Sequence, residues 1–487
     1  MKNIIKVFML IMTGVVMAGC EDFTDVQPKG ENLLMSTEDL GLLLNTDLYE
    51  GLTSMDNLLI GDNIIYAYSD VSAPLAATNK TRNALIHGYF DDENSLERLA
   101  SLTNYDDQYF GCYSIINRVC NPILNQLSLA SGSEDEKKAL RAEALVARAF
   151  CHYLVLQRFA PAYNGQNENS PAIIYMTEDK SITKPWPKNT LKDCYDQILQ
   201  DINDALDLNI LPSKALNYMR WDKTSALALK AHALMGMHNY SEAEAIAKQV
   251  LSINGSLYDY YAHAQSAVSL GGVPYYFLSG FDDRRNDETL FLVPSTNFYL
   301  WVCPDEWNAL EEDYGRRGLV STMGKQYNGY NYHGVDYSDY GSYFALPGWQ
   351  AATNYSDYMN TAGLSTPQMY LIVAECELRA GNIDNAMEWI DKLRSKRMPE
   401  GTEMLKGKIT GQAAAQKTLM STVSAEYLWT DWAYITRKRW NVESAWKTTL
   451  TRTIAGITYT LRPESKLWIS PFPENATGYN PNLTQNW

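Results

Sequence analysis

From Ser133 onward the apolar positions Leu140, Ala144, Leu145, Ala149, Tyr153 and Leu156 recur three or four residues apart. That spacing is helical and predicts a helix with one core-facing stripe. Ser133, followed three residues later by Glu136, forms a capping box at its start. Gly165 and Pro171 mark the loop beyond. A second helix is predicted from its cap Thr190, with Leu191, Tyr195, Ile198, Leu199, Ile202 and Leu206 on one face and Pro212 closing it.

Two later stretches share a finer pattern. Ala231, His238, Ala243 and Ala247 have the same offsets as Ala374, Gly381, Ala386 and Ile390. In each, one helix is predicted to end at a tight turn, His238-Asn239-Tyr240 or Gly381-Asn382-Ile383, and a second starts at once. Small residues on facing helices let the backbones pack closely, as in the inner part of a tetratricopeptide unit. The fold class expected is mostly α: tetratricopeptide-like helix pairs winding a right-handed superhelical scaffold. The two stretches are far apart in the chain, so they are not tandem repeats.

Between them the pattern changes. Gly271-Gly272, Pro274, Pro294, Pro304 and Pro347 break any long helix, and short apolar runs such as Thr289–Val293 predict brief strands. Aromatics crowd this part, among them Tyr275, Tyr276, Trp301, Trp307, Tyr314, Tyr330 and Trp349. From Tyr327 to Tyr343 the tyrosines alternate with Asn, Asp, Gly and Ser, the mixture that recognition loops use. The whole chain has 33 Tyr against 12 Phe. Because a buried Tyr needs a partner for its hydroxyl, that excess suggests aromatic surface facing something wet.

The start of the chain addresses the compartment. Lys2 and Lys6 precede the apolar run Val7–Ala18, which is too short to span a bilayer and fits a secretory signal. It ends in Val16-Met17-Ala18-Gly19-Cys20, the form of a bacterial lipoprotein signal. Cys20 is therefore the expected lipidation site, anchoring the chain to a membrane. The other six cysteines form no CxxC pair, and buried free thiols are expected, with a Cys112–Cys120 bridge left open. The histidines show no metal-binding spacing, and no cofactor or metal is expected. With 487 residues, 46% of them hydrophobic, the chain is globular. Its net charge of −16 disfavours nucleic acid as a partner.

The C-terminal half carries a resemblance. Tyr370–Glu375, Gly381, Ala386 and Leu393–Arg397, then Arg439-Trp440, Trp468–Glu474 and Asn480–Asn486, resemble segments of the SusD/RagB family. In the N-terminal half Arg141–Ala144, Arg148–Phe150, Asp201-Ile202 and Ala205 agree with it, and Glu21-Asp22 resembles a cell-surface sorting signal. The sequence departs from the family at Leu428–Ala433, where an acidic-Gly-Arg stretch is usual, and at Ser470–Pro473. The resemblance implies a cell-surface lipoprotein of the outer membrane in a Bacteroidetes nutrient-uptake system. Such a protein binds a glycan or peptide and serves a TonB-dependent, SusC-like transporter. It also implies a ligand face drawn from loops near the N-terminal region, here Asp62, Asn63, Tyr66, Tyr68 and Asp70, and from the aromatic insertion.

The expected organisation is a signal peptide at 1–19, a helical N-terminal part at 20–253, the aromatic insertion forming the ligand face at 254–366, and a C-terminal part at 367–487. Local chemistry selects Trp301, Trp307, Tyr330 and Trp349 as a stacking platform, with Arg284 and Asp305 as polar partners. No catalytic residue is assigned. A glycoside hydrolase would need two carboxylates flanking the scissile bond. Asp282-Asp283 and Glu311-Glu312-Asp313 supply acids, but adjacent carboxylates read as a solvated face. A pure protein scaffold is the remaining alternative, and the Tyr-rich insertion argues against it.

Overall fold

The computed structural model describes residues 34–45, 48–61, 64–66, 81–259, 264–270, 273–278, 286–294, 298–302, 350–354, 360–398, 401–427, 430–454 and 456–487. Short helices come first: α1 (Thr37–Leu43), α2 (Met55–Gly61), α3 (Arg82–His87), α4 (Glu93–Ser101), α5 (Asp107–Ile115) and α6 (Asn121–Gln126). Strand β1 (Ile64–Tyr66) follows α2. Among these described residues the chain is mostly helical, as expected.

Helices α7 (Glu134–Phe159) and α8 (Leu191–Asp207) are those predicted from Ser133 and Thr190, and both capping boxes form. The stripe Leu140, Ala144, Leu145, Ala149, Tyr153 and Leu156 is buried. Helix α8 closes at Asp207, before Pro212. Mid-helix, Arg148 is buried yet fully engaged, with Nε and Nη2 each donating to Asp201 at 2.8 Å. Tyr175 adds its hydroxyl to the same carboxylate at 2.7 Å. Arg148 and Asp201, both family-like positions, thus bolt α7 to α8.

Helices α9 (Lys223–Gly236) and α10 (Tyr240–Ile253) form the next pair. Strands β2 (Ala264–Leu270), β3 (Val273–Leu278), β4 (Thr289–Phe291), β5 (Phe298–Val302), β6 (Gln350–Asn354) and β7 (Leu364–Ser365) follow, before the pair α11 (Thr366–Arg379) and α12 (Ile383–Arg394). The two matched turns have the same geometry. His238 and Gly381 lie at φ of 60° and 83°. Asn239 and Asn382 follow at φ/ψ of −85°/66° and −87°/66°. Asn239 N donates to Leu234 O, and Asn382 N to Glu377 O, both at 2.9 Å, closing each helix through a left-handed residue. Ala231, Ala243, Ala247, Ala374, Ala386 and Ile390 are all fully buried.

Although the pairs are not tandem in sequence, they stack in space: α8 packs on α9, and α10 on α11. The chain from 254 to 365 thus leaves the end of one layer and returns at the start of a neighbouring one. Helix α13 (Gln412–Glu426) covers α11 and α12, and α14 (Asp431–Trp440) returns to α2. A hairpin of β8 (Leu450–Ile454) and β9 (Ile457–Leu461) and the short helix α15 (Glu474–Tyr479) complete the chain.

The two halves are welded by buried charge. Arg158 donates to Asp106 at 2.9 Å, to Asp56 at 2.9 Å and to Ser470 Oγ at 3.1 Å. Such a network is costly to assemble but leaves no buried charge unpaired. The unusual stretch at 430–433 packs into the same region. Gln108 donates to Asp431 at 2.7 Å, and Trp432 Nε1 donates to Gly363 O at 2.7 Å. Leu428 and Trp429 lie outside the described residues.

Cys112, Cys120, Cys151, Cys194 and Cys376 are buried free thiols, so the Cys112–Cys120 bridge is not formed. Part of the tyrosine excess lies in the core. Tyr49, Tyr175, Tyr195 and Tyr434 are core residues whose hydroxyls bond Trp221, Asp201, Gln157 and the Trp468 carbonyl. A helical core rich in side-chain and main-chain partners satisfies these four phenols, while Tyr327–Tyr343 lie outside the described residues.

Candidate ligand-binding site

The insertion rises from a tightly bonded root. β4 pairs with β7, placing Phe291 opposite Leu364, and an isolated bridge joins Pro294 to Asn360. Asn360 locks the two segments. Its Nδ2 donates to Phe291 O at 3.0 Å and to Leu364 O at 3.3 Å, and its Oδ1 accepts from Val293 N at 3.0 Å. This approach requires a glycine at 363, where a Cβ would collide with Phe291 O and Asn360 Oδ1. Thr361 and Thr53 share a hydroxyl hydrogen bond, and Asp431 N donates to Thr361 O at 3.0 Å.

Glu288 makes the second anchor. Its carboxylate accepts from Tyr258 N at 2.7 Å and from Arg397 Nη2 at 2.9 Å, while its carbonyl accepts from Thr366 N at 2.7 Å. Arg397 also donates to Glu426 at 2.8 Å. Burial pushes the Glu288 carboxyl up to about 7, against the pull of Arg397. Burial likewise raises Asp431 to about 7, with Gln108 and Arg158 opposing it. Perturbed carboxyls can mark catalytic sites or structural networks. Both of these are enclosed by core partners, which fits the structural role.

A separate three-stranded antiparallel sheet has the order β1-β5-β6. Its register pairs Ile65 with Trp301 and Trp301 with Ala351, while Tyr66 pairs with Leu300. The N-terminal segment and the insertion, distant in sequence, therefore share one sheet. The backbones of two candidate residues, Tyr66 and Trp301, lie on its adjacent strands. Val302 pairs with both Ile64 and Gln350, so the chain leaves the sheet after Val302 and rejoins it at Gln350 from one end. Phe298 and Asn354 pair at the other end, toward which β1 runs as it finishes at Tyr66. Tyr275 and Tyr276 lie on β3, which pairs with β2. Cys20, Asp62, Asn63, Tyr68, Asp70, Asp282, Asp283, Arg284, Cys303, Asp305, Trp307, Glu311–Asp313, Tyr327–Tyr343 and Trp349 lie outside the described residues.

Reading the sequence did not single out Asn360, Gly363 or Glu288, and marked Arg397 only as part of a family-like segment. The one local signal was the Asn360-Thr361-Ala362-Gly363 stretch just before a helix, a turn composition. Among the described residues, no group of His, Cys, Asp or Glu could hold a metal ion, and no helix is long and apolar enough to cross a membrane.

Residues 22–234 match the SusD-like family model described as starch-binding, associating with the outer membrane. No curated protein matches the chain. Among solved structures, a SusD superfamily protein from Bacteroides thetaiotaomicron VPI-5482 is 15% identical, with 93% of this chain and 100% of that one covered at a TM-score of 0.66. A SusD-like carbohydrate binding protein from Bacteroides vulgatus ATCC 8482 is 16% identical, with 92% and 97% covered at a TM-score of 0.60. Residues 22–234 thus carry the sequence signature of that SusD-like family model, and the chain shares the fold of these solved SusD-like structures over nearly its whole length.

Proposed function

We propose that the protein is a cell-surface lipoprotein, anchored to the outer membrane through Cys20, that binds an oligosaccharide or polysaccharide. In this reading it hands the glycan to a partner TonB-dependent, SusC-like transporter and carries out no catalysis. The observation that carries the proposal is the shared sheet, which sets the Tyr66 and Trp301 backbones on adjacent strands. Aromatic faces stack on the C–H faces of sugar rings, each contact contributing on the order of 1 kcal/mol beyond burial. The organisation into 1–19, 20–253, 254–366 and 367–487 belongs to the same proposal, with Tyr66, Tyr68, Asp70, Arg284, Trp301, Asp305, Trp307, Tyr330 and Trp349 as its ligand-binding residues. Support for a glycan comes from the starch-binding description of the family and the carbohydrate-binding relative.

The test uses the chain from residue 21 onward, which removes no described residue, in native gels containing plant, host and microbial polysaccharides. Retardation on one class without release of reducing ends is expected. Released reducing ends would indicate a hydrolase. Absence of retardation throughout would turn attention to a peptide ligand.

A further inference from the structure

A cleft of about 690 Å³ opens beside the root of the insertion, and no residue of β1, β5 or β6 lines it. The loop between α8 and α9 forms one wall with Ser213, Lys214, Leu216, Asn217 and Tyr218. Ile253, Asn254 and Ser256 at the end of α10, together with Asp287, Thr289 and Leu290, form the other. Its size falls within the roughly 300–1,000 Å³ of small-molecule sites.

Backbone bonds fix both walls in advance. Leu292 N donates to Tyr218 O at 2.6 Å, and Lys223 N to Pro212 O at 3.0 Å. Asn254 Nδ2 donates to Asp287 O at 2.9 Å, and its Oδ1 accepts from Ser256 N at 3.0 Å. Met219 N donates to Asn217 Oδ1 at 2.9 Å, leaving the Asn217 NH₂ group unengaged among the described residues.

The functional groups between these walls are loosely held. Lys214 Nζ lies 3.8 Å from Asp287 Oδ1, with the two side chains 75% and 71% exposed. Tyr218 Oη reaches the same carboxylate at 3.4 Å. These distances are long for hydrogen bonds, and a ligand hydroxyl can replace them with shorter ones. Leu216, 91% exposed, and Ile253, 45% exposed, add apolar surface at the rim.

We propose that this cleft is a second binding site, taking a neutral oligosaccharide of two or three rings. The Asp287 carboxylate accepts from adjacent sugar hydroxyls, and Lys214 and Asn217 donate to ring and hydroxyl oxygens. The Tyr218 ring, with Leu216, Ile253 and Leu290, covers the C–H face of a sugar. The cleft's own carboxylate and the chain's net charge of −16 favour neutral over acidic sugars. The proposal needs no aromatic residue of the sheet, so the two sites can fail separately.

Hydrogen exchange of the chain from residue 21 onward, with millimolar maltotriose, cellotriose, xylotriose or mannotriose, tests it. At least one is expected to protect the backbone of 213–218 and 286–290. That protection should survive Trp301→Ala and require about tenfold more sugar in Asp287→Ala or Tyr218→Ala, the loss expected for one strong polar or stacking contact. Thermal unfolding checks that each variant is folded, and Asp287→Asn and Tyr218→Phe keep the shape should the alanine variants fail. Protection confined to 64–66 and 298–302 would overturn the second site while leaving the sheet reading intact. Protection by none of the four sugars would overturn it too, as would stronger protection by trigalacturonic acid.

Discussion

Replacing Asn360 with alanine tests whether one amide locks the root of the insertion. The variant loses the bonds to Phe291 O, Leu364 O and Val293 N. Phe291, Val293 and Leu364 are fully buried, so water cannot readily replace the lost partners. A buried backbone group left unpaired costs about 1–3 kcal/mol. Val293 N–H loses its partner and the two carbonyls are weakened, so a total of about 3 kcal/mol is expected. Because Thr361 N still donates to Val293 O at 3.2 Å, the segments should loosen without separating. Exchange of the amides in 289–294 and 360–365 should accelerate about a hundredfold, while the α7–α8 core keeps its protection. Hydrogen exchange read by mass spectrometry resolves these segments. Acceleration below about threefold, with unchanged chemical stability, would refute the argument that Asn360 carries the root.

Other perturbations test the scaffold. Asp201→Ala removes two bonds from Arg148 and the partner of the Tyr175 hydroxyl, leaving Arg148 only its ion pair to Glu178 and its bond to Asn121, and should cost about 3 kcal/mol in urea unfolding. Gly381→Ala meets no atom within 4 Å, so its cost is the left-handed backbone alone, about 1 kcal/mol by the same measurement. Stability should also depend on pH. Burial lowers His87 and His232 to about 3 and His152 well below its usual value. Between about pH 4.5 and 6.5 these three bind protons only on unfolding, so acid removes stability. Glu288 and Asp431, both raised to about 7, act in the opposite sense, since the folded state holds their protons and loses stability as pH rises through the same window. Burial lowers His238 as well, so the histidines outnumber the two carboxyls and a net loss of stability on acidification is expected across this window. Glu288→Gln should steepen that slope, and an unchanged slope would contradict the assignment.

Local features of the fold could be read from the sequence, whereas its long-range joins could not. Ser133 with Glu136 and Thr190 with its helix face are short-range signals, and both helices begin where those residues place them. The matched His238 and Gly381 turns were legible because one small backbone motif sets the residue spacing on either side. That α10 stacks on α11 was not legible, since the contact spans the whole insertion. Pairing of β1 with β5 has the same character: Ile64–Tyr66 is too short to advertise a partner more than two hundred residues away. Tyrosine content did not separate core phenols with hydroxyl partners, such as Tyr49 and Tyr175, from the tyrosines of the insertion. Trp301 was selected for its chemistry, and the sheet adds its place beside the N-terminal segment.

The most direct test of the account is calorimetric titration with an oligosaccharide from the polysaccharide class that retards the chain in gels, comparing the unaltered protein with Trp301→Ala and Tyr66→Ala. Each substitution should weaken binding about fivefold or more while the thermal midpoint stays within a few degrees, as expected for the loss of a stacking contact of about 1 kcal/mol or more. Unchanged affinity in both folded variants would contradict the claim that the shared sheet carries the glycan site.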